Sequence, residues 1–380
     1  MKIPIVCYKF PPHYSGYGKQ LSTILKEMQN VDKKRKFIIL TAFGKSYEGE
    51  NFSVKSFGFD YSKSNKKTLY SFSLKVLLWI IKNRKNIPLV HCIKAGPEAF
   101  FTKVGCIITS KPIIVKIAQD ELSSRELKNK NMINKLRIRF RQRFLLHSTN
   151  LIAISSDIQK LLNNSISGNS KVWFIPNGVD TRKFNVESKI NESESVDLLY
   201  VGAINRRKGI YDLLEALNTI KLDKKANLTL CGPLLEDLNF EKKLRDINEN
   251  KNNLEVKYLG NVDNVDQIMN RSDVFLLLSY SEGLPNVLLE ASSSGLPLIG
   301  TDIPGSRDIV QNDFNGKIVD PGDILGIKNA IQFFVNKSDC IDKMGNNSRK
   351  LIESKYDVNV VAKQYFNMYN ELSGVNHEKN

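Results

Sequence analysis

The most constraining feature of this chain is an alternation of short apolar runs with helical stretches. In the first half the candidate strands are KIPIVCY, KFIILTA, PLVHCI, PIIVKIA, NLIAIS and KVWFIP, and helical segments such as residues 18–29 and 68–83 lie between most of them. This alternation is typical of βα units, in which a parallel sheet is covered by helices. The first half of the chain is therefore predicted to form an α/β domain.

A second series of the same kind follows a polar stretch. NVESKINESESVD, at residues 185–197, is charged and poor in bulky residues, so it is interpreted as an interdomain linker. The next candidate strands are LLYVGAI, NLTLCGP, EVKYLGN, DVFLLLS, PLIGTD and GKIVD. The 380 residues suit two domains, which we place at 1–185 and 186–355. A helix predicted at residues 356–372 closes the pattern.

The two halves differ sharply in charge. Residues 1–185 carry a net charge of +22 and the remaining residues −6, for a total of +16. A basic half next to a mildly acidic half suggests that the first domain meets an anionic partner, such as nucleic acid, a membrane surface or a phosphorylated substrate. A lysine-rich composition without functional meaning would explain the total but not the asymmetry.

Cysteine usage and hydropathy indicate a cytoplasmic protein. The five cysteines are scattered and form no CxxC pair, so we expect buried thiols rather than a disulfide framework or a zinc site. MKIPIVCYKF reaches Pro11–Pro12 after too few apolar residues for a secretory signal. LYSFSLKVLLWII, at residues 69–81, is too short to span a membrane and contains Lys75, so it is interpreted as a core helix.

Two segments of the second half have the pattern of a nucleotide site. In YVGAINRRKGIYDLLEAL a strand ends near Gly202, and a loop carrying Arg206, Arg207 and Lys208 precedes a helix. Ligands of open α/β sheets bind at the carboxyl ends of strands, near helix N-termini. A diphosphate bound by Arg207 and Lys208 would gain hydrogen bonds of about 1.5–3 kcal/mol each. A solvated basic loop is the alternative.

The second segment, SYSEGLPNVLLEASSSGLP, carries two glutamates separated by seven residues. A helix is predicted to begin near Pro285, with backbone N–H groups of its first turn available to a ligand. Glu282 precedes this helix, and Glu290 lies in its apolar body, where a carboxylate needs a partner such as two neighbouring ribose hydroxyls. The alternative is one capping and one surface acid. The predicted donor-binding residues of this segment are Gly283, Leu284, Pro285, Asn286 and Glu290.

Two further segments lie at strand ends in the first half. FIPNGVDTRKF contains an Asn-Gly turn. In KFPPHYSGYGKQLSTIL, the small residues Ser15, Gly16 and Gly18 follow the first strand, and glycines let a backbone approach a ligand closely. The spacing differs from the GxGxxG dinucleotide fingerprint, so NAD binding is not predicted.

These segments together resemble retaining glycosyltransferases of family 4. The resemblance covers nearly the whole chain and includes PPHYSGYG, FIPNGVDTRKF, VGAINRRKG, LCGP, YLGNV, SYSEGLPNVLLEASSSGLPLIGTDIPG and NGKIVDPGD. It implies the GT-B fold, with two tandem Rossmann-like domains, an active site in the interdomain cleft and a C-terminal helix (residues 356–380) that packs back on the first domain.

The resemblance also implies residue roles. Glu282 would contact the donor sugar, Glu290 the ribose, and Arg207 with Lys208 the diphosphate, while the loop of Ser15, Gly16 and Gly18 would lie against phosphates and acceptor. Many members have an arginine at the position of Ala203, a contact that Arg206 could supply here. Many have a histidine where this chain has Ala118, and Asp120 or Lys116 could cover that role.

No metal or other cofactor is predicted, because the four histidines are isolated and no DxD carboxylate pair appears. Arg207 and Lys208 would instead stabilise the departing diphosphate of a UDP- or GDP-linked sugar. The basic segment at residues 128–147 could lie on an anionic membrane at the inner face of the cell membrane, or pack on the core with a solvated edge. Its basic residues are Lys135, Arg137, Arg139, Arg141 and Arg143.

The resemblance predicts a metal-independent hexosyltransferase that uses a glycan or lipid-linked glycan acceptor in bacterial surface polysaccharide synthesis (capsule, O-antigen or lipopolysaccharide). A sugar-nucleotide epimerase or a sucrose-synthase-type enzyme on the same fold is the first alternative. A nucleic-acid-binding protein is the alternative from another class. It is motivated by the basic half, but the chain has no RNP-type aromatic motif and no helix-turn-helix signal.

Overall fold

A computed structural model of the chain describes residues 2–13, 15–50, 52–118, 130–187, 195–250 and 253–374. The chain divides into two compact units, which we name unit 1 (residues 1–178 and 358–380) and unit 2 (residues 179–357). The division lies at residues 178 and 179, directly after the Asn-Gly turn, whereas sequence analysis placed the boundary at 185. The predicted linker at residues 185–197 belongs to unit 2, and its residues 188–194 lie outside the described part of the chain.

Unit 1 contains one mainly parallel sheet. Its described strands have the order β3-β4-β2-β1-β5-β6-β7-β8, and only the pair β3–β4 is antiparallel. The central strands are buried along nearly their whole length, as expected when helices cover both faces of a sheet. The strands are β1 Lys2–Val6, β2 Lys36–Thr41, β3 Tyr47–Glu48, β4 Phe52–Ser56, β5 Val90–Cys92, β6 Ile113–Ile117, β7 Asn150–Ala153 and β8 Lys171–Phe174.

Polar side chains begin most of the helices in unit 1. Ser15, Asn65, Asn131 and Ser155 each accept a hydrogen bond from a backbone N–H of the first turn, which satisfies a donor that the helix itself leaves unpaired. The helices are α1 Gly16–Val31, α2 Lys66–Asn83, α3 Pro97–Thr109, α4 Met132–Leu146, α5 Ser156–Asn163 and, after unit 2, α12 Val358–Ser373.

Unit 2 contains a wholly parallel sheet. The order of its described strands is β11-β10-β9-β12-β13-β14. The strands are β9 Val196–Val201, β10 Ala226–Cys231, β11 Leu254–Gly260, β12 Val274–Leu277, β13 Leu298–Thr301 and β14 Gly316–Val319. The helices are α6 Ile210–Thr219, α7 Phe240–Glu249, α8 Val265–Asn270, α9 Asn286–Ser293, α10 Ile324–Asn336 and α11 Ile341–Lys355. The predicted α/β class with two parallel-sheet domains is confirmed.

The strand order of each sheet reverses at one point. In unit 1 the reversal lies between β1 and β5, and in unit 2 between β9 and β12. The loops that leave neighbouring strands at such a point diverge and open a crevice, which is where open α/β sheets bind ligands. The serine and glycine loop (Ser15, Gly16 and Gly18) follows β1, and the basic loop (Arg206–Lys208) follows β9. Glu282 follows β12. The sheet topology therefore places these three predicted segments at the reversal points.

The C-terminal helix α12 completes the core of unit 1 by packing against α1. Its buried residues Val361, Tyr365 and Met368 join a core cluster that includes residues of β1, β2 and α1. The sequence predicted this helix at residues 356–372 from the spacing of its apolar residues. The same residues therefore account both for the helix and for its packing against α1.

Two basic side chains are buried beneath α12. His91 of β5 bonds through Nδ1 to the Tyr369 hydroxyl at 2.7 Å, and Lys116 of β6 donates to Asn177 Oδ1 at 3.0 Å. Burial lowers the pKa of His91 to about 3, and the Lys116 charge contributes to that shift. Burial also lowers the pKa of Lys116 to about 7, so the folded chain resists protonation of both groups.

Stability should therefore depend on pH through Lys116. The unfolded chain binds the lysine proton below about pH 10.4, but the folded chain binds it only below about 7. The free energy of unfolding should fall as the pH drops through this window, by up to about 1.4 kcal/mol per pH unit, and the loss should then level off. In Lys116→Met this slope should disappear, and urea unfolding between about pH 7 and 10 measures it. The exposed Lys85→Met is the control, and equal slopes for the wild type and Lys116→Met would refute the prediction.

Candidate active site

The loop after β9 presents three consecutive basic residues. Arg206–Lys208 form a short 3-10 turn, and Asn205 caps it by accepting a hydrogen bond from the Lys208 backbone N–H at 3.0 Å. The backbone N–H of Arg206 donates to Glu236 Oε2 at 2.9 Å, which joins this loop to the loop after β10. The three basic residues are thus fixed through their backbone at the carboxyl end of β9.

Gly209 brings this basic loop against the end of β12. Its φ of +68° suits glycine, and a Cβ at this position would lie 1.9 Å from the Leu278 carbonyl oxygen. The contact is extended by a hydrogen bond from the Tyr280 backbone N–H to the Arg207 carbonyl at 2.9 Å. Two loops that follow neighbouring strands are therefore joined into one surface.

The Glu282 carboxylate lies between the two basic residues assigned to the diphosphate. Its Oε1 is 2.7 Å from Lys208 Nζ and 3.3 Å from Arg207 Nη1. Arg207 Nη1 also donates to the Ser281 carbonyl at 2.9 Å. The Glu282 and Lys208 side chains are only 11% and 15% exposed, so water screens their pair weakly, whereas Arg207 is 50% exposed. Three of the predicted site residues are thus brought into direct contact.

This arrangement brings two positive charges and one negative charge together, and a sugar nucleotide can interact with both kinds. Lys208 and Arg207 can donate to the oxygens of a diphosphate, and a carboxylate such as Glu282 can accept hydrogen bonds from sugar hydroxyls. Basic groups fixed before a reaction stabilise a departing diphosphate without reorganisation. The geometry therefore suits cleavage of a bond between a sugar and a phosphate.

The segment after Glu282 leads into α9. Gly283, Leu284 and Pro285 are buried, and α9 begins at Asn286 with Pro285 as its N-cap, one residue later than a proline in the first helical position would give. Glu290 is half-buried on α9, between the fully buried Leu289 and Ala291. The expected helix and the expected position of Glu290 within an apolar run are thus both present.

Gly202 and Ala203 directly follow β9 and precede the basic loop that contacts Glu282. The Gly202 backbone N–H donates to the Cys231 carbonyl at 2.9 Å, and the Ala203 carbonyl accepts from the Tyr200 hydroxyl at 3.0 Å. Burial raises the pKa of Tyr200, and the nearby Glu282 charge raises it further, so the phenol keeps its proton. Arg206, considered as a substitute for the arginine missing at Ala203, has an exposed side chain.

The residues of the serine and glycine loop of unit 1 have different roles. Ser15 Oγ donates to the Lys9 carbonyl at 2.6 Å and accepts from the Gly18 backbone N–H at 3.1 Å. A Cβ on Gly18 would lie 2.5 Å from that same carbonyl, so Gly18 is required for packing. Gly16 is exposed, and a Cβ there would meet nothing within 4 Å. Gly16 is therefore the residue of this loop that leaves room for a ligand.

The position of the family histidine is only partly described. Ala118 directly follows β6, and Asp120 lies outside the described residues, so its predicted role stays a prediction. Lys116 is 7% exposed, and its Nζ contacts Asn177 and lies 5.9 Å from the centre of the Tyr365 ring. Lys116 is thus a core residue beneath α12, which argues against a direct role in the site.

Metal-binding clusters and membrane-spanning helices are both absent from the described residues. Within the described ranges, no group of three or more histidine, cysteine, aspartate or glutamate side chains could hold a metal ion. No helix in that part of the chain is long and apolar enough to cross a membrane.

Sequence reasoning did not single out the residues that assemble the cluster. Asn205 carries the amide that caps the basic turn, and an asparagine three residues before Lys208 is a recognisable capping signal. Tyr280, which is 45% exposed, lies close enough to Asp212 in the first turn of α6 to offset part of the rise that burial causes in the pKa of that carboxyl. The Tyr280–Asp212 contact joins residues far apart in the chain, so no local pattern indicates it.

Comparison with solved structures defines the fold class. Sucrose-phosphate synthase (tll1590) from Thermosynechococcus elongatus superposes with a TM-score of 0.80 at 17% identity, over 98% of this chain and 99% of that one. The chain thus has the GT-B glycosyltransferase fold, as the sequence predicted. At this level of identity the likeness concerns the fold alone.

Comparison with known sequences gives a family match for part of the chain. Residues 181–351 match the family model for glycosyl transferases group 1. The capsular polysaccharide biosynthesis glycosyltransferase CapM of Staphylococcus aureus is 27% identical over 59% of this chain and 62% of its own length. The N-acetyl-alpha-D-glucosaminyl L-malate synthase of Bacillus anthracis is 23% identical over 98% of this chain and 97% of its own length.

The close approach of Gly209 to β12 can be tested by substitution. Gly209→Ala should destabilise unit 2 and weaken the binding of UDP or GDP, because the added Cβ must displace the Leu278 carbonyl and with it the basic turn. Gly58→Ala is the matched control, since Gly58 also has a positive φ but open space around it, and should cost only the backbone strain of about 1–2 kcal/mol. Urea unfolding and calorimetric titration with nucleotide measure both effects. Equal losses in the two variants would show that the contact is unimportant.

Proposed function

We propose that this chain transfers a sugar from a UDP- or GDP-linked donor to a glycan or lipid-linked glycan acceptor, with retention of the anomeric configuration. The observation that carries the proposal is the contact of Glu282 with Lys208 and Arg207 at the strand-order reversal of unit 2. The basic pair binds the diphosphate, and Glu282 orients the transferred sugar. Glu290, on helix α9, which follows Glu282, binds both hydroxyls of the ribose.

The reaction needs no metal ion and no dedicated base under this proposal. The acceptor oxygen forms a bond to the anomeric carbon on the face from which the phosphate departs. The bond between that carbon and the phosphate oxygen breaks, and the leaving phosphate takes the acceptor proton. Arg207 and Lys208 stabilise the charge that develops on the diphosphate. Asp120 remains a proposed contributor near the acceptor.

The two glutamates should have separable effects. Glu290→Ala removes a carboxylate proposed to hold two ribose hydroxyls, at a cost of roughly 2–4 kcal/mol. Binding of UDP or GDP alone should weaken about 30- to 1,000-fold. Glu282→Ala should not weaken nucleotide affinity, because Glu282 is proposed to contact the sugar and its removal frees Lys208 for the diphosphate, but turnover of the sugar nucleotide should fall. Calorimetry and kinetics measure the two quantities.

Two variants complete this test. Lys208→Ala should impair both quantities, because the diphosphate is present in substrate and product, and Glu282→Gln separates the carboxylate charge from the side-chain shape. If Glu282→Ala lost nucleotide affinity while Glu290→Ala retained it, the assignment would be reversed. If neither variant changed either quantity, the proposal would fail at its centre.

Surface polysaccharide synthesis is the proposed setting. The likeness to a capsular glycosyltransferase supports it, and so does the positive charge of the first half of the chain. We place the enzyme at the cytoplasmic face of the cell membrane, held as a peripheral protein by the basic face of α4. The residues proposed for this contact are Lys135, Arg137, Arg139, Arg141 and Arg143.

A small soluble acceptor is the second candidate. The nearly full-length alignment with an enzyme named as an L-malate synthase favours it. Such an acceptor would require no membrane contact, so it makes a different prediction for the exposed face of α4.

A donor and acceptor screen distinguishes these possibilities. Incubation with UDP-, GDP- and ADP-sugars should release nucleotide slowly from one of them, because these enzymes can pass the sugar to water when no acceptor is present. With that donor, a total lipid extract should accelerate release if the acceptor is lipid-linked, whereas L-malate or a sugar phosphate should do so if it is soluble. Mass spectrometry identifies the product. Release of no nucleotide from any donor would contradict the transferase proposal.

A further inference from the structure

Unit 1 exposes large apolar side chains on three neighbouring helices. Their exposed fractions range from 47% to 77%. Large apolar side chains that are exposed together mark an interaction site. The exposed residues are Tyr70, Leu74 and Leu78 on α2, Ile107 and Ile108 on α3, and Met132, Ile133, Leu136 and Phe140 on α4.

Aromatic contacts connect the three helices. Ring centres are separated by 6.4 Å between Tyr70 and Phe101, by 5.7 Å between Phe101 and Phe100, and by 6.1 Å between Phe100 and Phe140. We name these four rings the apolar row. The apolar row therefore links side chains of α2, α3 and α4 to one another.

In the described part of the chain, helix α4 is attached mainly through its C-terminal half. Lys103 of α3, which is 3% exposed, donates to the carbonyl oxygens of Phe144 and His147 at the C-terminal end of α4. Within α4 only Gln142 and Leu145 are buried. The first turns are therefore exposed, with Met132, Lys135 and Leu136 in solvent.

The charged side chains of α2 and α4 have a single sign. Neither α2 nor α4 contains an aspartate or glutamate. Lysines are depleted where proteins bind each other, and nucleic acid offers no partner for exposed leucine and isoleucine side chains. An anionic lipid surface matches both properties, because it attracts basic residues and dissolves apolar ones. The exposed basic residues are Lys66, Lys67, Lys75 and Lys82 on α2, and Lys135, Arg137, Arg139 and Arg143 on α4.

We propose that the face formed by α2, α3 and α4 inserts its apolar row and neighbouring leucines into the hydrocarbon boundary of an anionic bilayer. The proposal rests on the proposed function only in giving the enzyme access to a lipid-linked acceptor. It differs from a purely electrostatic contact through α4, because α2 takes part and because apolar side chains carry much of the affinity. Side chains of this size reach about 5–10 Å into the interface, and no helix has to span the membrane.

Single substitutions test the insertion. Phe140→Ser and Leu78→Ser should each weaken partition into vesicles of phosphatidylethanolamine and phosphatidylglycerol by roughly 10-fold, since each removes a large side chain from hydrocarbon. Leu325→Ser, a substitution of a leucine equally exposed on α10 of unit 2, is the matched control and should change nothing. Co-sedimentation measures the partition, and thermal unfolding checks that each variant is folded.

Ionic strength separates the two contributions. Replacement of Arg137, Arg139, Arg141 and Arg143 by Gln should remove the part of the binding that high salt also removes, because salt screens exposed charges over about 8–10 Å. The serine variants should bind more weakly than the wild type at high salt as well. A Phe140→Trp variant should show a blue-shifted emission when vesicles are added.

Three results would overturn the proposal. They are unchanged partition in both serine variants, an equal loss in Leu325→Ser, or a wild-type chain that self-associates through this face, seen as a dimer in gel filtration that Phe140→Ser disrupts. An effect of Phe140→Ser without one of Leu78→Ser would overturn the participation of α2. Hydrolysis of the donor in solution is measured in parallel and should be the same in all variants, so failure of the membrane proposal is distinguishable from failure of the proposed function.

Discussion

The ion pair between Glu282 and Lys208 is the interaction around which unit 2 is organised at the edge where its strand order reverses. Both side chains are largely shielded from water, and a charge in such a place is costly unless it is paired. The pair connects the loops after β9 and β12, the two strands between which the sheet order reverses. Gly209 and the hydrogen bond between Tyr280 and Arg207 bring these loops to the distance at which the pair can form.

The same pair explains how the charged side chains of the site can be held in place before a substrate binds. Without a substrate, Lys208 and Glu282 satisfy each other, and neither charge is left exposed to an apolar surrounding. A diphosphate offers Lys208 a second anion, and a sugar offers Glu282 hydroxyl donors in place of the ammonium. Binding therefore exchanges one set of charge-assisted hydrogen bonds for another. Under the proposed function this exchange would favour a sugar joined to a diphosphate, because a ligand that supplied only one half would leave the other charge without its new partner.

The sequence predicted the elements that have a local signature. Alternating apolar runs indicated the parallel sheets, and the two glutamates separated by seven residues marked the loop and helix that now contain Glu282 and Glu290. Contacts between distant segments could not be predicted in this way. The burial of Lys116 depends on α12, which lies more than half the chain away, and a lysine at the carboxyl end of a strand has the same local pattern whether it faces solvent or a helix.

The basic segment at residues 128–147 shows a different limit. Its composition left open whether it packs on the core or faces a membrane, because both arrangements require apolar and basic residues at helical spacing. The structure shows how α4 is attached, through a residue outside the segment. Lys103 holds the C-terminal end of α4, so the terminal turns pack on unit 1 while the first turns are exposed.

Burial of Lys103 has a further consequence for α4. Burial lowers the pKa of Lys103 to about 8, yet the ammonium form is the one that donates strongly to the two backbone carbonyls and complements the negative end of the helix dipole. A neutral amine would keep at most a weaker contact. The attachment of α4 is therefore a balance between the cost of burying a charge and the carbonyl contacts that reward it. Such a balance holds the last turn of α4 on unit 1 and leaves its apolar first turns exposed.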